Sequence, residues 1–111
     1  MWNKRSQLYL ASKEAIRVQY QAQMSLHGWR CIGRQPIDVR ISIYGNVKSR
    51  KCDLDNQMKA LLDAANDCVF DDDRWCDVII AMRFQADEEK ALVDVFTYDK
   101  ATPADQGADS N

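Results

Sequence analysis

A chain of 111 residues with 46% hydrophobic content suits one small globular domain. Its formal net charge of −2 excludes a uniformly basic nucleic-acid binder, yet residues 1–51 carry ten Lys/Arg against two Asp/Glu, and residues 52–101 carry five against thirteen. A basic surface beside an acidic site fits that segregation, although on charge alone a solvated surface, mixed in space, is the stronger explanation.

Other classes fall away quickly. No apolar run approaches the roughly 20 residues of a membrane span, so no membrane partner is expected. Met1-Trp2-Asn3-Lys4-Arg5-Ser6 has no apolar run behind it, so no signal peptide is expected either, and the expected location is cytoplasmic. Cys31, Cys52, Cys68 and Cys76 form no C-x-x-C, and His27 is the single histidine. Four free thiols in a reducing compartment are expected, rather than a zinc site or a disulfide framework.

In chain order, Tyr9-Leu10 reads as a short extended lead-in. Ser12 is a helix N-cap, and the helix runs to about Met24 with Gly28 as its stop. Ala15, Val18, Ala22 and Leu26 recur at helical spacing, with Ile16 and Tyr20 beside them. From Pro36 to Tyr44 the alternation is strict: Ile37, Val39, Ile41 and Ile43 face one way, and Asp38, Arg40, Ser42 and Tyr44 the other. That is a half-buried strand. Val47 to Lys51 is a basic loop. A second helix is expected from Leu54 or Asp55 to Asn66, with Leu54, Met58, Leu61, Leu62 and Ala65 as its buried stripe. After the loop Asp67 to Arg74, Trp75–Phe84 and Ala91–Tyr98 read as two strands joined in a hairpin by the polar turn Gln85 to Lys90.

The expected fold is α/β of the α+β kind. A small, mainly antiparallel mixed sheet of about three strands has both helices on one face, and dimerisation covers the remaining apolar surface. The domain spans residues 1–101. Residues 102–111 are Thr, Pro, Ala, Asp, Gln, Gly, Ser and Asn, with nothing to bury, and are expected to be disordered.

The chemistry concentrates between residues 51 and 73. Asp53 and Asp55 lie two apart, Lys59 and Asp63 follow Asp55 at four-residue spacing, and Asp71-Asp72-Asp73 precede a strand. Two convergent carboxylates with a nearby ammonium suit a hard cation such as Mg²⁺ acting on a phosphodiester. Taken singly, each acid has a plainer role: Asp55 as N-cap, Asp53 in a turn, and Asp71 to Asp73 in a solvated loop. Whether the triple-Asp loop returns to the Asp53–Asp55 end depends on its path, which spacing does not decide. An EF-hand is excluded by Gln57 and Met58, where an acceptor and a glycine are needed. The polar loop before Asp53 excludes an aspartyl-phosphate phosphatase. There is no glycine-rich phosphate loop and no Ser/His/Asp set.

Asp53-Leu54-Asp55-Asn56, then Lys59-Ala60, Asp63-Ala64 and Asp71-Asp72, resembles the core of the RusA-type Holliday junction resolvases, D-L-D-N-x-x-K-A-x-x-D-A followed by an acidic pair ahead of a strand. Tyr9-Leu10-Ala11-Ser12 also resembles that family's approach to its first helix. The resemblance covers about residue 8 to Tyr98. It implies a homodimeric, Mg²⁺-dependent endodeoxyribonuclease, with Mn²⁺ as a substitute, that resolves four-way DNA junctions by paired nicks. By motif position it implies that Asp53, Asp55 and Asp72 hold the metal and that Lys59 is the active-site lysine. Asp72 is chosen because it is the second residue of the acidic pair. Lys48, Arg50 and Lys51 would grip backbone phosphates, with Arg30, Arg34 and Arg40 extending that surface. Two departures stand out. Only eight residues precede Tyr9, so the family's first strand is expected to be missing or replaced. Asn66-Asp67-Cys68 stands where a glycine is usual. The alternative is a non-catalytic branched-DNA-binding protein derived from such a nuclease.

Overall fold

The computed structural model describes residues 2–48 and 53–97. Arg50, Lys51, Cys52 and the 102–111 segment lie outside the described residues. The elements are β1 (Trp2–Leu8), α1 (Lys13–His27), β2 (Ile37–Gly45), α2 (Leu54–Ala65), a 3-10 turn (Asp73–Trp75), β3 (Cys76–Gln85) and β4 (Lys90–Thr97). The α+β class holds, with two helices on a mixed sheet, but the sheet has four strands in the order β1-β4-β2-β3.

Two expectations are corrected here. The first strand is present: Trp2–Leu8 pairs antiparallel with β4, from Trp2 opposite Thr97 to Leu8 opposite Ala91. The expected hairpin is absent, because β2 lies between its two strands. β3 runs parallel to β2, and β4 runs antiparallel to it on the other side. A parallel pair needs a long crossover, and α2 supplies it.

The strict alternation of β2 carries through. Ile37, Val39, Ile41 and Ile43 are buried under the helices, beside Ala91, Val93 and Val95 of β4 and Leu8 of β1. The α1 caps form as expected: Ser12 Oγ accepts from the Ala15 N–H at 3.2 Å, and Gly28, at φ 67°, closes the helix in the left-handed conformation. Its buried stripe is different. Val18 and Leu26 are 62% and 78% exposed, whereas Ile16 and Tyr20 are buried and Met24 packs beside them. These three, at i, i+4 and i+8, are the bulky side chains that fill the space over the sheet. The Tyr20 hydroxyl donates to the Leu61 carbonyl at 3.0 Å and links the two helices. On α2 the expected stripe is in place: Leu61, Leu62 and Ala65 are buried, and Leu54 and Met58 pack against the core.

Cys31, Cys68 and Cys76 are free thiols. No helix among the described residues is long and apolar enough to cross a membrane.

Candidate active site around the second helix

Asp53, not Asp55, is the N-cap of α2. Its backbone is extended, and its carboxylate makes no capping bond. Asp55 lies in the first turn, and both are exposed. Carboxylates at a helix N-terminus are stabilised by the unpaired N–H groups there. Lys59 and Asp63 follow on the solvent side, both exposed. Leu61, Leu62, Ala64 and Ala65 occupy the opposite, buried side.

The ends of two strands close around the start of α2. Arg83 Nε, near the end of β3, donates to Gln57 Oε1 at 3.1 Å. The Val47 N–H donates to Gln85 Oε1 at 3.1 Å, so the turn that carries exposed Lys48 is tied to the end of β3. Lys48 therefore stands at the same end of the molecule as Asp53 and Asp55. Among the more distant arginines, Arg34 lies 3.9 Å from Asp71, and Arg40 stacks on Phe96 on the sheet face away from the helices. Arg34 and Arg40 are thus engaged by Asp71 and Phe96.

The acidic loop is held at the other end of α2. Asp67, at φ 59°, adopts the left-handed conformation for which glycine is usual, and its N–H donates to the Phe70 carbonyl at 2.8 Å. Ile32 pairs with Phe70 and clamps the loop from outside: the Asp71 N–H donates to the Ile32 carbonyl, and the Ile32 N–H to the Val69 carbonyl. The Asp73 N–H donates to Asn66 Oδ1 at 3.0 Å, just beyond the last turn of α2.

The three consecutive acids Asp71, Asp72 and Asp73 have different roles. Asp71 accepts from the Trp75 indole N–H at 3.3 Å and faces Arg34, so it is engaged structurally. Asp72 caps the 3-10 turn, accepting from the Arg74 N–H at 2.9 Å. That backbone donor, helped by a bond from Asp73 and the charge of Arg74, holds its carboxyl below the usual range. Asp73 is pushed the other way, first by burial, then by its bond to Asp72 and the charges of Asp72 and Asp63. Of the two, Asp72 therefore gives up its proton the more readily. Asp63 is a neighbour that the candidate set left out; its four-residue spacing from Lys59 was the available signal.

α2, with 12 residues, is about 18 Å long. Asp53 and Asp55 stand at its start, and Asp72 and Asp73 beyond its end. Among the described residues, no three Cys, His, Asp or Glu side chains converge into one metal-binding group. The donor chemistry still suits Mg²⁺, which is commonly held by one or two carboxylates with waters and substrate phosphate. The Asp53–Asp55 pair meets that requirement by residue type.

No curated protein matches the chain. The family model described as Endodeoxyribonuclease RusA matches it over residues 2–96, from the start of β1 to the penultimate residue of β4. With every described element inside or bordering that span, the chain belongs to the RusA endodeoxyribonuclease family.

Proposed function

We propose that this protein is a Mg²⁺-dependent endodeoxyribonuclease that resolves four-way DNA junctions by paired nicks, acting as a homodimer on DNA in the cytoplasm of a cell or of a phage-infected cell. The family match over residues 2–96 carries this reading. The carboxylate pair and lysine of α2 give it chemical content. Asp53 and Asp55 would hold the metal, with Mn²⁺ as a substitute; Asp72, the third ligand that the motif implies, stands beyond the other end of α2 and is apart from this pair. Bound there, the ion would supply Lewis-acid polarisation of the scissile phosphate and a more acidic water. Lys59, one turn beyond Asp55 and in solvent, would place its ammonium against a phosphate oxygen and stabilise the charge that develops in the transition state. Lys48, with Arg50 and Lys51 next to it in sequence, would hold backbone phosphates and so supply affinity without sequence information.

A second reading is a non-catalytic branched-DNA-binding protein. It is favoured by the separation of Asp72 from Asp53 and Asp55 along α2. One experiment separates the two readings: incubation of the purified protein with a synthetic four-way junction, with and without Mg²⁺. Nicks that require the ion support the nuclease. Binding without nicks, at any Mg²⁺ or Mn²⁺ concentration, supports the second reading.

A further inference from the structure

On the helix side of the sheet, β3 changes character toward its end. Ile79 and Ala81 stand beside the buried Val39 and Ile41 of β2. Arg83 and Gln85 follow on the same side, the first beside the buried Ile43 and the second beside Gly45. Packing alone asks for an apolar side chain next to Ile43. The stem of Arg83 can supply it, and the guanidinium is carried past it to α2. There the half-buried Arg83 donates from Nε to Oε1 of the half-buried Gln57 at 3.1 Å. The Gln57 N–H in turn donates to the Asp53 carbonyl at 3.1 Å, closing the first turn on the N-cap.

We propose that Arg83 binds a DNA backbone phosphate at the start of α2, and that Gln57 is the positioning residue that holds its guanidinium there. This rests on the DNA-binding reading above, in either its nuclease or its non-catalytic form. The residue types favour it. A phosphodiester that approaches Asp53 and Asp55 meets two like charges, and a cation beside them offsets that repulsion. A guanidinium matches phosphate through several N–H donors in a fixed plane, whereas an ammonium acts as a point charge. Gln57 is neutral, so its bond orients the guanidinium without cancelling its charge. A bond at Nε, the nitrogen nearest the stem, fixes the plane in which the two terminal nitrogens lie.

The helix period sets two cations around the two carboxylates. Gln57, with Arg83 on it, comes one turn after Asp53, and Lys59 comes one turn after Asp55. At 3.6 residues per turn, positions 57 and 59 point to nearly opposite sides of α2. Lys59 stands exposed, whereas Arg83 reaches the helix from the sheet. A DNA strand crossing the start of α2 then meets a cation on either side. The plainer role for the Arg83–Gln57 contact is a strap that ties β3 to α2 and does nothing else. The two roles differ in what they make sensitive to salt: a phosphate contact releases a counterion from DNA, and a strap does not.

Binding of the full chain to a synthetic four-way junction is measured against salt in EDTA, so that no metal-dependent cut intervenes. Arg83→Met keeps an apolar stem and removes the charge. It is expected to reduce the slope of log K against log salt by about one, the value of a single phosphate contact. Arg83→Lys is expected to keep the wild-type slope and still bind severalfold more weakly. Gln57→Leu is expected to weaken binding severalfold in the wild-type chain and to add nothing in the Arg83→Met background, because it acts through the guanidinium. Circular dichroism and thermal melting report folding, and Arg83→Gln takes the place of Arg83→Met should that variant not fold. A lower melting temperature at the wild-type slope makes the contact a strap and overturns the proposal. Additive losses in the double variant overturn the role of Gln57. A wild-type protein that binds the junction but never nicks it, with any metal, overturns the nuclease and leaves the Arg83 contact standing on its slope. A protein that binds no DNA at any salt overturns both.

Discussion

Arg83 donates to Gln57 at 3.1 Å, joining the end of β3 to the first turn of α2. β3 runs parallel to β2 after the α2 crossover, and this contact marks where its end meets the helix. It places Asp53 and Asp55 with the strand's end and Asp72 with its start. The candidate site is thereby organised around the start of α2, where two carboxylates, Gln57 and the Lys48 turn come together.

Asp55→Asn is expected to abolish Mg²⁺-dependent nicking and to keep or tighten junction binding. It conserves shape while removing a charged oxygen donor and one repulsion against phosphate. Wild-type nicking by the purified variant, measured on a synthetic junction, would remove Asp55 from the metal set.

Lys59→Ala is expected to lower turnover roughly a hundredfold or more, with little change in melting temperature or in metal affinity. The side chain is exposed and outside the core, so folding does not depend on it. A lower melting temperature at unchanged specific activity would make Lys59 structural.

Neutralising Lys48, Arg50 and Lys51 together is expected to weaken binding to all DNA shapes alike. Loss of about three phosphate contacts should reduce the slope of log K against log salt by roughly three. An unchanged slope places the DNA surface elsewhere.

Asp67 tests how the acidic loop is held. Asp67→Gly is expected to fold with stability close to wild type, because φ 59° is open to glycine. Asp67→Val, a β-branched residue in the left-handed region, is expected to lose on the order of 1–3 kcal/mol in chemical denaturation. Equal midpoints for the two variants would show that the loop does not depend on this conformation.

What the sequence determined by itself is local. The alternation from Ile37 to Ile43, the α2 stripe, the Ser12 cap and the Gly28 stop each follow from residues within a few positions of one another, and all are present. The D-L-D-N core and its lysine belong to this class, and the family was legible in them. Tertiary structure decided which elements are neighbours. Periodicity reports the face a side chain takes, not the strand beside it. Trp2–Leu8 has few apolar residues of its own and becomes a strand because β4 supplies its hydrogen-bonding partner. β3 and β4 are adjacent in the chain but flank β2, because the α2 crossover returns β3 parallel to β2 and leaves the other side of β2 to β4. The same crossover carries Asp72 to the far end of α2 from Asp53 and Asp55, a separation set by the length of a helix and invisible in the spacing of acidic residues.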